Sequence, residues 1–231
     1  NTLASPSEAG ATKATSSNED LLTVTTSSLA DPGSYNIDVL NTAKSHSLAT
    51  GTYTSFDEVV GTGSLTFSFG DITYDTNGDF VSQTANTSTP SKTLVIDESN
   101  RTLSGIRDAI NNANMGVSAS IINDGNGYRL LMSSTATGEE NAMRIVAKDS
   151  SGNLLNSGLS ALAFNEQQNG SGNLEQTSKG EDAQISVNGL TITRSSNAIN
   201  EVIKGVTINL KGADVGNTVN VTVEADSDTL A

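Results

Sequence analysis

The stretch Ala183-Gln-Ile-Ser-Val-Asn-Gly-Leu-Thr-Ile-Thr-Arg194 sets two short runs of alternating apolar and polar residues on either side of Asn188-Gly189. Asn-Gly tolerates the positive φ angles of a two-residue type I′ turn, whose twist matches that of paired strands. With this turn Val187 faces Leu190, Ile185 faces Ile192 and Ala183 faces Arg194. The apolar residues then share one face, and Gln184, Ser186, Thr191 and Thr193 share the other. A one-residue slip would mix the faces, so turn chemistry and hydrophobic pattern specify the same register.

Downstream, Asn197 is a candidate cap for a short helix in which Ile199, Val202 and Ile203 follow i, i+3, i+4 spacing, with Gly205 as its stop. Val206, Ile208 and Leu210, then Val219, Val221 and Val223, again alternate with polar residues as strands do. Upstream, Leu22 and Val24, followed across Pro32-Gly33 by Tyr35, Ile37 and Val39, read as a hairpin-like pair of half-exposed strands. A similar order occurs in the middle of the chain. Leu65, Phe67 and Phe69 alternate, Leu94 and Ile96 fall in a second strand, and Thr102 caps a helix striped by Leu103, Ile106, Ile110 and Ala113. Gly116 ends that helix, and Val117, Ala119 and Ile121 open a strand that turns through Asn123-Asp-Gly-Asn-Gly127 to Tyr128, Leu130 and Met132. The polar stretch Asp75 to Ser91 reads as an exposed loop or extended hairpin.

These patterns predict an α+β fold of two sheet-rich modules, each a mainly antiparallel sheet with a short packed helix. Residues 1–21 are expected to be a flexible arm or the remnant of a helical stem. Residues 22–54 plus 176–231 are expected to form a discontinuous first domain, with 55–175 inserted as a second. The Gly, Asn, Gln and Ser segment Asn165 to Gly180 is the expected linker.

Composition narrows the chemistry. Of 231 residues, 104 are Ser, Thr, Asn or Gly, aromatics are 4%, Cys and Trp are absent, and there is one His. Without Cys there are no disulfides, thiolate zinc sites or thiol nucleophiles, and a single imidazole disfavours His-rich metal sites. The formal charge of −14 opposes nucleic acid and anionic membrane surfaces as partners. No apolar run approaches the roughly 18 to 20 residues that span a bilayer.

Individual motifs are weighed on the same terms. His46, within Lys44-Ser-His-Ser47, lacks a nucleophile elbow of the G-x-S-x-G kind and reads as an ordinary loop or strand-end histidine. Asp75, Asn77 and Asp79 imitate the start of a calcium loop. Phe80 then stands where its glycine belongs and Asn86 where its bidentate Glu belongs, so an acidic surface loop is expected. Glu139-Glu140 and the tail acids Glu224, Asp226 and Asp228 read as solvated charge. Asn86 and Asn100 lie in N-x-S/T triplets, a weak signal in so polar a chain. Gly61-x-Gly63 lacks the further glycine and the helix of a dinucleotide fingerprint. The residues predict no catalytic, cofactor or metal site and no enzyme.

The stretch Thr102-Leu-Ser-Gly-Ile-Arg-Asp-Ala-Ile-Asn111, then Gly116-Val117 and Ser120-Ile-Ile-Asn-Asp-Gly125, resembles the flagellin hook motif of bacterial flagellar axial proteins. Ser186 to Asn197 leading to Gly205-Val-Thr-Ile-Asn-Leu210, together with Pro32-Gly-Ser-Tyr-Asn-Ile-Asp-Val39 and Ala43, narrows the likeness. In this order these stretches resemble the flagellar filament cap family, the second hook-associated proteins, over residues 22 to 226 in outline. The resemblance implies a sheet-rich head whose terminal helical stem is missing, and an extracellular location at the filament tip. It also implies a homo-oligomeric ring that works with flagellin and neighbouring hook-associated proteins, without cofactor or covalent chemistry. A different class, a secreted surface adhesin or glycan-binding module with host surface ligands, is the alternative. A Cys-free chain with three Pro suits export as an unfolded polymer, because slow disulfide and proline steps are few.

Overall fold

A computed structural model describes residues 12–165 and 174–226. The chain forms two compact units, residues 1–43 with 182–231 and residues 44–181, each with its own hydrophobic core. The segments 44–54 and 176–181, expected with the outer unit, lie in the inner one.

The outer unit is all strand among the described residues. Its strands are β1 (Thr12–Ser16), β2 (Leu22–Thr26), β3 (Gly33–Asn41), β12 (Ala183–Val187), β13 (Leu190–Arg194), β14 (Ala198–Ile203), β15 (Val206–Leu210) and β16 (Val219–Ala225). They make a five-stranded sheet in the order β1-β16-β3-β12-β13 and a three-stranded sheet in the order β14-β15-β2. The Asn-Gly hairpin has the predicted register, with Val187 opposite Leu190 and Ala183 opposite Arg194. Asn188 and Gly189 take φ angles of 49° and 86°. Alternation carries the core: Ile37, Val39, Ile185, Val219 and Val221 are completely or almost completely buried, as are Leu22, Ile199 and Ile208 from the smaller sheet.

Three expectations for this unit need correction. The segment after Asn197 is a strand, not a helix. Ile199 pairs with Ile208 and Ile203 with Val206, and the two extra residues between them on β14 form a bulge with Glu201 at φ 63°. The run is short and rich in β-branched residues, which suit a pleated surface better than a helix. The side chain of Asn197 caps nothing. Its Oδ1 accepts from Ala43 N–H at 2.7 Å and its Nδ2 donates to the Ala43 carbonyl at 2.9 Å. Second, β2 and β3 are not a hairpin, because β2 pairs with β15 and β3 lies between β12 and β16. Pro32-Gly33 is thus a passage between sheets. Third, part of the expected flexible arm is β1, a small-residue strand paired with β16. Residues 1–11 lie outside the described residues.

The inner unit contains β4 (Ser45–Ala49), β5 (Gly63–Tyr74), β6 (Phe80–Ala85), β7 (Lys92–Ile96), α1 (Leu103–Asn112), β8 (Val117–Asn123), β9 (Tyr128–Thr137), β10 (Met143–Lys148) and β11 (Glu175–Ser178). One sheet runs β11-β4-β9-β8; the other is built on β5, which pairs with β10, β6 and β7. The helix forms as its sequence predicts. Thr102 Oγ1 accepts from Gly105 N–H at 3.1 Å, satisfying one otherwise unpaired amide of the first turn, and Leu103, Ile106 and Ile110 are completely buried. Of the stretch 75–91, residues 75–79 form the turn and Phe80–Ala85 the second strand of the extended hairpin β5-β6. The expected linker is partly a strand of this unit, since β11 pairs with β4. Residues 166–173 lie outside the described residues.

Candidate functional site

Of the two places expected for His46, loop or strand end, it takes the strand end, as the second residue of β4, and it is not at the solvent. It is completely buried, with its ring 5.5 Å from that of Phe164. Its Nδ1 accepts a hydrogen bond from Met143 N–H at 3.1 Å, so the neutral ring carries its proton on Nε2, which has no hydrogen-bond partner among the described residues. Burial pushes its pKa down to about 4. A ring held neutral by burial, with no nucleophile bonded to it, is a core residue.

The calcium-like triplet is a turn. Asp75 Oδ1 accepts from Asn77 N–H at 2.8 Å and Asp79 N–H at 2.9 Å, and these backbone bonds hold its carboxyl below the usual range. The same device recurs at Asp149, which accepts from Ser151 N–H and Asn153 N–H. Glu139 and Glu140 lie in a single 3-10 turn, Glu224 is exposed on β16, and Asp228 lies outside the described residues. Asn86 and Asn100 use their side-chain amides internally, with Asn141 and with the Val95 carbonyl. Among the described residues, no group of three or more His, Asp or Glu is placed to hold a metal ion. No helix among them is long and apolar enough to cross a membrane.

What the structure does assemble is a hydrogen-bonded surface segment that carries exposed apolar residues. The segment 53–60 is laid across the start of α1. Leu103 N–H and Ser104 N–H donate to the carbonyls of Glu58 (3.0 Å) and Phe56 (2.8 Å), and Val60 N–H donates to the Arg101 carbonyl. The amides that a helix start leaves unpaired are thereby used to fix the segment. Glu58 Oε2 accepts from both Thr54 N–H and Thr54 Oγ1 at 2.7 Å, which keeps its carboxyl below the usual range. Tyr53 exchanges backbone hydrogen bonds with Tyr128, and the ring of Phe56 stands edge-on to that of Tyr128 at 5.7 Å. Phe56 is nevertheless 48% exposed and Val59 53% exposed. In a chain with nine Phe and Tyr, an immobilised, half-exposed Phe is the kind of group that anchors a protein contact. The sequence signal for it, Phe56 and Val59-Val60 in a polar stretch, is too slight to separate from core.

Elsewhere in the inner unit, Val95, Asp97, Glu98, Asp149 and Leu155 help line a depression of about 720 Å³. Its carboxylates are already engaged: Asp97 with Ser99, Glu98 with Arg101 at 2.7 Å, and Asp149 within its own turn.

This arrangement offers contact surfaces, and comparison with known proteins gives the family they belong to. Residues 1–46 match the family model described as the flagellar hook-associated protein 2 N-terminus, and residues 180–231 match that of its C-terminus. The chain is 34% identical over 221 residues to the B-type flagellar hook-associated protein 2 of Pseudomonas aeruginosa, covering 92% of this chain and 43% of that protein. It is also 34% identical over 203 residues to the flagellar hook-associated protein 2 of Escherichia coli K12, covering 87% of this chain and 39% of that one. The chain thus spans less than half the length of these curated relatives. The crystal structure of the D2-D3 domains of the Escherichia coli flagellar cap protein FliD superposes with a TM-score of 0.77 at 33% identity, covering 94% of this chain and 100% of that one. A likeness that takes in the whole of those two domains, joined to family matches at both ends, means that the chain belongs to the flagellar hook-associated protein 2 family, the flagellar cap proteins.

Proposed function

We propose that this chain is the sheet-rich head region of a filament cap, a structural assembly protein at the extracellular tip of the bacterial flagellum. In this reading it works as part of a ring of identical copies, beside other hook-associated proteins. It holds newly exported flagellin while that subunit folds and enters the filament, with no bond made or broken. The observation that carries the reading is the match over the full length of the D2-D3 domains of a cap protein. The hydrogen-bonded surface segment with Phe56 and Val59 supports it, because an assembly factor needs anchored apolar side chains that remain open to a partner. The adhesin alternative is not favoured by relatives named flagellar hook-associated protein 2 or by a structural neighbour named as a flagellar cap protein.

The binding step is testable with monomeric flagellin in solution. The chain is expected to bind it, and Phe56→Ser with Val59→Ser to weaken binding by about tenfold, the effect of removing an interface anchor. Full binding by the double variant would remove this surface from the proposal, and no binding by the parent chain would count against the holding step.

A further inference from the structure

The five-stranded sheet of the outer unit has two edges, and they are treated differently. At β1, Thr26 Oγ1 donates to the Thr12 carbonyl at 2.6 Å and Thr12 Oγ1 donates to the Ser27 carbonyl at 3.1 Å, so neighbouring chain covers that edge. At β13 no strand lies beyond among the described residues.

The hairpin fixes which backbone groups face outward there. Residues flanking a two-residue turn bond to each other, so Leu190, Ile192 and Arg194 spend their backbone groups on Val187, Ile185 and Ala183. The parity is consistent on the other side of β12, where Asn188 N–H donates to the Asn36 carbonyl of β3's side at 2.8 Å. Thr191 and Thr193 therefore turn their N–H and C=O groups to the open edge. Natural edges are blunted by Lys, Pro, bulges or inward charges. Here the one such device is Arg194, whose Nη1 donates to the Thr193 carbonyl at 2.8 Å.

The edge is also self-complementary. In Thr191-Ile-Thr193, an antiparallel copy related by a two-fold axis through Ile192 sets Thr191 against the other copy's Thr193 as hydrogen-bonded pairs and Ile192 against its own copy. The outward backbone groups then meet in kind, donors with acceptors. On the inner face the row Val39–Ile185–Ile192 continues into the same row of the second copy, and Leu190, 72% exposed, lies beside the aliphatic stem of Arg194. Charge permits the approach. In a chain of net charge −14, there is no Asp or Glu between Asp182 and Glu201, and the two Arg194 residues fall at opposite ends of the contact.

We propose that β13 is an interaction surface for a second copy of this chain, joining two five-stranded sheets edge to edge about a two-fold axis at Ile192. The proposal does not depend on the cap reading, and it concerns a symmetric contact rather than the ring.

Sedimentation equilibrium of the whole chain from micromolar to millimolar concentration tests it. The mass is expected to rise reversibly from 23.8 kDa towards twice that value. Thr191→Pro removes an outward N–H that β12 does not use, so it is expected to keep the circular dichroism spectrum and remain monomeric. Arg194→Ala frees the Thr193 carbonyl and is expected to tighten association roughly fivefold, the worth of releasing one competing hydrogen bond. Amide exchange at Thr191 and Thr193 is expected to slow as concentration rises. A chain that is monomeric throughout, Arg194→Ala included, would overturn the proposal, as would association that survives Thr191→Pro or exchange at these two amides that ignores concentration.

Discussion

Gly205→Ala is expected to destabilise the outer unit by about 3 kcal/mol, read as a lowered urea midpoint with an unchanged slope. Gly205 turns β14 into β15 at φ 70°, a conformation that costs an L-residue about 1 kcal/mol or more. The larger part of the effect comes from space. A Cβ at Gly205 would fall 2.4 Å from the Ala30 backbone nitrogen and 2.6 Å from the Leu29 carbonyl carbon. That approach is fixed by Ser27 N–H, which donates to the Gly205 carbonyl at 2.8 Å. The obstacle is backbone, so relief requires moving either the turn or the segment after β2. Gly189→Ala separates the two causes. Gly189 has φ 86° but open space where its Cβ would lie, so only the conformational part, about 1 kcal/mol, is expected. Equal losses at the two glycines would show that the close approach at Gly205 is absent.

The second large effect is acid sensitivity centred on His46. Folded, its pKa lies near 4; unfolded, it returns to 6.5. Between these values the unfolded chain binds a proton that the folded chain refuses. Stability therefore rises with pH across this window and is lost as pH falls from 6.5 to 4, in total about 3 kcal/mol at 1.4 kcal/mol per pH unit. Asp75, Asp97 and Asp149, whose pKa values are lowered by hydrogen bonds in their turns, add their own loss at lower pH. His46→Asn isolates the histidine, since an Asn Oδ1 can replace Nδ1 as acceptor for Met143 N–H without titrating. Urea unfolding at pH 7 and at pH 4 is expected to show the parent chain losing about 3 kcal/mol more than the variant. Parallel losses in the two proteins would mean that the ring is not held neutral in the fold.

The Asn-Gly hairpin was legible from sequence because turn chemistry and period-two pattern are independent signals that agree at Ala183–Arg194. Helix α1 was legible for the same reason: Thr102 supplies the cap and Leu103, Ile106 and Ile110 the stripe. At Ile199 to Ile203 the signals conflict. Two extra residues in the β14 bulge bring Ile199 and Ile203 inward four positions apart, which is also helical spacing, and local pattern cannot tell one from the other. Strands β1 and β11 carry little apolar signal, since Thr12–Ser16 and Glu175–Ser178 become strands only because an open edge is offered by β16 and by β4. The burial of His46 and the exposure of Phe56 were illegible for a related reason. Each depends on what distant chain segments place beside it, Phe164 and Met143 in one case and the start of α1 in the other.

The cap reading is tested most directly by filament growth in Escherichia coli cells whose own cap protein carries this chain in place of its D2-D3 domains. Provided the chimera is exported at the parental level, the reading predicts filaments of normal length and motile cells. Cells that export the chimera normally yet shed unpolymerised flagellin into the medium would contradict it.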